Sequence, residues 1–149
     1  MEPGVIAFAT FGLASQALLV AFFAARRWAP RSAEVLGRLA YGFACLGLPI
    51  GLWLASGGQS HRLFVGPLLL AAWAMLGVAV DLWRPRPWRG PVVDWSVMAP
   101  YVTLYFFAQM FLWWPLWDLM RAAWAAFAVL FVANTALNLR GHLPARRHP

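Results

Sequence analysis

The chain is expected to be all-α, an integral membrane bundle of five transmembrane helices. Three observations point there. Hydrophobic residues make up 62% of the 149 and charged residues 11%, where a soluble domain carries about 25% charged. Five apolar runs, each near the ~20 residues that cross a bilayer as helix, follow one another with short polar or proline-rich breaks. Ten of the twelve basic residues, all arginine, fall in alternate connections, so a single side of the bundle collects nearly all the positive charge. A bundle of five spans uses the whole chain, so residues 1–149 are read as one domain.

The first helix covers about residues 5–25. It is followed by Arg26 and Arg27, whereas a secretory signal peptide carries its positive charge before the apolar core; the helix is therefore expected to be retained, with the N-terminus outside. Gln16, near its middle beside Ser15, suits a hydrogen bond to another helix. Residues 26–38 read as a basic loop in which Ser32 can cap the next helix. That helix, about 36–55, holds small residues four apart (Ala40 and Ala44, Gly47 and Gly51) that permit close helix approach, and Pro49, which should kink it. A polar turn from Ser56 to Arg62 leads to the third helix, about 63–82. Asp81, at its end, is expected at head-group level, paired or solvated.

Arg84, Pro85, Arg86, Pro87, Trp88, Arg89, Gly90 and Pro91 then concentrate charge, proline and indole in a stretch that cannot be helical, because proline lacks an N–H and biases its predecessor away from helical angles. Asp94 is a suitable N-cap for the fourth helix, about 95–114, which should stop at Trp113, Trp114 and Pro115. After a tight turn around Trp117 to Arg121, the fifth helix covers about 122–139 and a basic tail closes the chain. With the N-terminus outside, the first loop, the proline-rich loop and the tail share the cytoplasmic side, in keeping with the positive-inside rule. Nine of ten tryptophans then lie near one interface or the other, as anchoring belts do. Only Trp73 falls near mid-membrane.

Few function classes survive this reading. The net charge of +7 flanks apolar spans, a pattern that meets anionic lipid head groups on the cytoplasmic side and does not point to nucleic acid. One cysteine, Cys45, excludes an intrachain disulfide or CxxC pair. His61, His142 and His148 lie outside the spans, away from where haem is ligated. No nucleophile has a partnered base, and no metal-ligand spacing occurs. No catalytic residue, no metal site and no directly ligated cofactor is therefore expected, and the chain is not read as an enzyme. The uncharged polar residues Gln16, Thr103, Tyr105, Gln109, Asn134, Thr135 and Asn138 look dispersed in depth and suit interhelical hydrogen bonds.

Two expectations follow. The first is a non-catalytic accessory or scaffold subunit of a bacterial inner-membrane complex, packing against partner subunits and lipid, with carotenoid, quinone or another hydrophobic molecule able to fill its grooves. Ligand or partner contact is assigned to Arg84, Arg86, Trp88, Arg89, Trp95 and Gln109. The second is a small hydrophobic-ligand binding or transport protein. Trp88, Arg89, Gly90 and Pro91, with Ala99, Pro100, Tyr101, Val102, Thr103, Leu104 and Tyr105 after them, locally resemble the Trp-x-Pro loop and following helix of the tryptophan-rich sensory, or translocator, proteins. Their five helices, tryptophan abundance and length are also similar. That resemblance implies binding of porphyrins or other hydrophobic ligands. In the family the loop follows the first helix; here it follows the third.

Overall fold

The computed structural model describes residues 2–83 and 93–142, the side chains of residues 140–142 excepted. Those residues are helical with no strand, and five helices or helix pairs are long and apolar enough to cross a membrane. The first span is α1 (Pro3–Trp28). The second is built of α2 (Pro30–Cys45) and α3 (Gly47–Ser56). The third joins α4 (His61–Gly77) to a π-helical turn, Val78–Trp83. The fourth and fifth are α5 (Trp95–Leu119) and α6 (Arg121–His142). Successive spans run in opposite directions, so Pro3, the 57–60 turn and the α5–α6 junction share one end. The α1–α2 junction, Trp83, Trp95 and the end of α6 share the other.

Two boundaries differ from the sequence reading. Residues 30–38, expected as loop, are helical, and Ala29 alone separates α1 from α2. Pro30 explains this: at the first helical position its fixed φ is already helical and its missing N–H is not needed. The pair of Glu34 with Arg38 at 2.6 Å then bridges one turn. Ser32 caps nothing, since the cap position is Ala29. In addition, α5 does not stop at Pro115 but continues to Leu119. In a span, neighbouring helices and backbone adjustment absorb a proline that would end a soluble helix.

The expected effect of Pro49 is present, one turn earlier than the proline itself. A proline clashes with the carbonyl four residues before it, which here is Cys45, and α2 ends at Cys45. Leu46 carries the break, its N–H donating to Phe43 O over 3.0 Å in a tighter turn. Asp94 caps α5 as expected, its Oδ1 accepting from Ser96 N at 3.0 Å.

Packing of the bundle rests on small residues. A β-carbon at Gly47 would overlap the Pro67 carbonyl, and one at Gly51 would stand 2.6 Å from Leu68 Cγ, so α3 lies backbone to backbone on α4. Gly66 similarly admits α5, with Phe111 C and O 2.9 Å from its would-be β-carbon. The Phe111 carbonyl is the one that Pro115, four residues on, cannot satisfy. Phe8, Leu70, Leu112, Leu116 and Phe127 are fully enclosed between the spans, while Val129, Val132, Phe106 and Leu52 face outward. An outward apolar face is what a lipid-solvated helix needs.

Candidate functional site

Tyr41 of α2, Trp73 of α4 and Tyr101 of α5 meet inside the half of the bundle where α1 joins α2. Trp73 is enclosed by three tyrosines, its ring centroid 5.4 Å from Tyr41, 5.4 Å from Tyr101 and 5.3 Å from Tyr105, each tilted by about 50°. Such tilted pairs place ring edges against ring faces, the favoured aromatic geometry. Gly77 makes the contact possible, because its missing side chain leaves room for the Tyr41 ring.

Beyond Gly77 the chain winds wider, as the π-turn that carries Asp81. Such turns are rare and often mark functional positions. Asp81 Oδ2 accepts from Tyr41 Oη at 2.8 Å, and Tyr41 Oη lies 2.9 Å from Tyr101 Oη. A phenol has one proton. Since the Tyr41 proton goes to Asp81, Tyr101 donates to Tyr41, and the chain of bonds runs from Tyr101 through Tyr41 to the carboxylate.

These residues form the floor and one wall of a cleft of about 780 Å³. Leu19, Phe22 and Phe23 of α1 supply an apolar wall, Met98 and Val102 of α5 another, and Asn138 comes from α6. Arg26, Glu34 and Arg38 stand at the mouth. Arg38 is paired with Glu34, whereas Arg26 leans on the Phe22 and Phe23 rings, 5.8 and 5.9 Å away. Trp73 lies ten residues inside Trp83, about 15 Å at 1.5 Å per helical residue. The cleft is thus a vestibule entering the bundle from one end.

Beneath it lies a second polar group. Gln16 of α1 donates from Nε2 to Gln109 Oε1 of α5, and Asn134 Nδ2 of α6 donates to Gln16 Oε1 at 3.3 Å and to Tyr105 Oη at 2.6 Å. Gln16 and Gln109 are fully buried and Asn134 nearly so. The four side chains read as dispersed in depth are therefore one network that ties α1, α5 and α6 together. Trp73 Nε1 and Gln109 Nε2 are buried with no hydrogen-bond partner among the described residues. A buried donor left unmet costs about 1–3 kcal/mol, so these two atoms mark where the interior lacks an acceptor.

Of the residues assigned to ligand or partner contact, the structure describes Gln109 and Trp95, fourteen positions apart on α5. Gln109 belongs to the buried network, while Trp95 is 71% exposed at the start of α5. Arg84, Arg86, Trp88 and Arg89 lie outside the described residues. Tyr41, Trp73 and Tyr101 are not among the contact residues the sequence offers, and Asp81 is there foremost a head-group carboxylate. The available signal was Trp73 itself, the single indole that fits neither belt.

At the opposite end a smaller apolar groove of about 450 Å³ runs between α4 and α5, bounded by Phe107, Phe111 and Trp114, with His61 and Arg62 at its edge. No group of three or more His, Cys, Asp or Glu side chains able to hold a metal occurs among the described residues. No protein-family model, curated protein or solved structure matches the chain.

Proposed function

We propose that this chain is a multi-pass protein of the bacterial cytoplasmic membrane, N-terminus outside and C-terminus inside, that holds a small amphipathic molecule in the vestibule. The observation that carries this reading is the vestibule itself: all five spans contribute to one cleft of about 780 Å³, within the ~300–1,000 Å³ typical of small-molecule sites. Its apolar walls suit a ligand drawn from the bilayer, and its tyrosine and aspartate floor supplies the few polar groups that fix orientation. The arginine distribution supports the orientation, because the mouth then opens on the positive, cytoplasmic side. The reading is one of binding or passage, because the polar groups of the cleft, Tyr101, Tyr41 and Asp81, are hydrogen-bonded to one another.

The test is purification in mild detergent followed by organic extraction and mass spectrometry, with a cleft-filling variant, Val102→Trp, in parallel. Near-stoichiometric retention of a small molecule by the wild type and its loss from the variant are expected. Retention unchanged by Val102→Trp places the molecule elsewhere and removes this reading.

A second reading, an accessory subunit packed in a larger assembly, is favoured by the outer face of α2. Val35, Leu39 and Leu46 are large, apolar and exposed, and Gly42, on the same stripe at spacings of four, three and four, has open space where a side chain would stand. Such spacing is the seam that a partner helix packs against. Gly42→Leu should release a co-purifying subunit without unfolding the bundle; a wild type that purifies alone opposes this role.

A further inference from the structure

We infer that the vestibule's ligand carries a carbonyl-type oxygen on a flat ring, the chemistry of a membrane quinone, and that Trp73 Nε1–H is the donor that holds it. This rests on the vestibule being a binding site and states what that site selects.

The argument begins with the orphan donor. Trp73 lines the cleft and is 5% exposed, yet its Nε1 has no partner among the described residues. Indole is a donor only, so nothing but an acceptor satisfies it. The surrounding side chains do not supply one. Tyr41 and Tyr101 press ring against ring on Trp73, and the Tyr41 hydroxyl is already committed between Asp81 and Tyr101. Tyr105 receives its bond from Asn134. A buried polar atom without a partner is rare in folded proteins and calls for a specific explanation. The side chain that carries it lines a cleft, and a ligand oxygen reaching past the ring edge is the acceptor assigned to it.

The shape of the surroundings narrows the rest of the molecule. The floor sets the rings of Tyr41, Trp73 and Tyr101 beside Asp81, which suits a flat ring that can stack or meet ring edges. The apolar wall of Leu19, Phe22 and Phe23 runs from near the floor towards the mouth, and accommodates an aliphatic substituent. A long-tailed acid would fit less well, since its anion would seek Arg26 at the mouth and leave a bare chain against the unmet N–H. A flat ring with a carbonyl oxygen at the deep end satisfies both the donor and the aromatic floor.

The experiment compares tetramethylbenzoquinone with tetramethylbenzene, a ring of similar outline without oxygens, by equilibrium dialysis against the purified full chain. The quinone is expected to bind more tightly. Trp73→Phe, which keeps a ring and removes the N–H, should weaken quinone binding about five- to tenfold, as loss of one net hydrogen bond does, and weaken the hydrocarbon distinctly less. Equal binding of both rings, insensitive to Trp73→Phe, overturns the carbonyl assignment while leaving the vestibule a binding site. Binding of neither ring, in a protein that retains another molecule displaced by Val102→Trp, also overturns it. Should Trp73→Phe fail to fold, infrared spectroscopy of the quinone bound to wild type decides. A carbonyl stretch lowered relative to the quinone in detergent supports the bond, and an unshifted stretch refutes it.

Discussion

The Tyr41 ring occupies the space that a β-carbon on Gly77 would need: Cε1, Cζ and Oη lie 2.5, 2.6 and 2.8 Å from that position. A phenol held between α4 and α5 by Asp81 and Tyr101 cannot swing aside freely. Gly77→Ala should therefore overpack the site and cost about 1–3 kcal/mol, read as a lowered Tm in detergent. Tyr41→Ala in the same chain should recover part of that loss, since the two changes act on one contact. A fully additive pair would mean that the ring is not what Gly77 accommodates.

The buried network predicts an order of severity. Gln16 makes two of its hydrogen bonds, to Gln109 and from Asn134, whereas Gln109 makes one and carries an unmet Nε2. Gln16→Leu strands Gln109 Oε1 and takes one of the two bonds of Asn134 Nδ2, which keeps Tyr105; Gln109→Leu strands only Gln16 Nε2 and removes an orphan donor. Individual bonds of this kind in membranes are worth about 0.6 kcal/mol and at most about 1.7, so Gln16→Leu should be the more destabilising by about that amount. Reversible unfolding in mixed micelles measures the difference, and the reverse order would exclude this assignment of partners.

Gly47 and Gly42 sit five residues apart with opposite surroundings. Gly47→Ala drives a methyl into the Pro67 carbonyl, which is backbone and cannot rotate away, so α3 must lift from α4 at a cost of about 1–3 kcal/mol. Gly42→Ala meets nothing and should be neutral or stabilising by up to about 1 kcal/mol through helix propensity. Thermal melts of the two variants side by side test the pairing of α3 with α4.

Arg62 and Asp118 join α4 to α5 at the other end through an ion pair of 3.7 Å, both side chains more than half exposed. An exposed pair contributes about 0.2–1 kcal/mol and is screened by salt. Asp118→Asn should shift Tm only slightly, and by less at high ionic strength. A large loss that persists in high salt would show that Asp118 is held by more than this arginine.

Much of the fold was legible because bilayer crossing imposes a length and a composition that each span states by itself. Asp94 as a cap and Gly47 with Gly51 as a packing face are local patterns with local causes. The two misplaced boundaries have separate origins: Pro115 reads as a stop, and the charge of residues 26–38 reads as a loop. In a bundle the neighbours of Pro115 supply what the helix lacks, and a charged segment that begins with Pro30 winds readily. The candidate site was far less legible. Tyr41, Trp73 and Tyr101 come from three helices, and their meeting depends on a glycine at position 77 and a change of helical pitch after it, neither of which leaves a motif. Depth estimates also misled. Tyr105 and Gln109 lie one turn apart on α5, and Gln16 of α1 and Asn134 of α6 reach them from either side, so the four converge.

The bond between Gln16 and Asn134 joins residues 118 positions apart, the first span to the last. At roughly 5–20 residues per second of synthesis, α1 must wait about 6–24 s in the bilayer before its amide finds α6. Until Gln109 of α5 arrives, Gln16 has only lipid, water defects or the insertion machinery to satisfy it, and its Oε1 waits longer still for Asn134. The bundle therefore closes like a clasp fastened last. Chains released before α6 emerges would display an unmet amide and the bare Gly12 face on which Phe127 normally rests, features by which a quality-control protease can recognise an unfinished product.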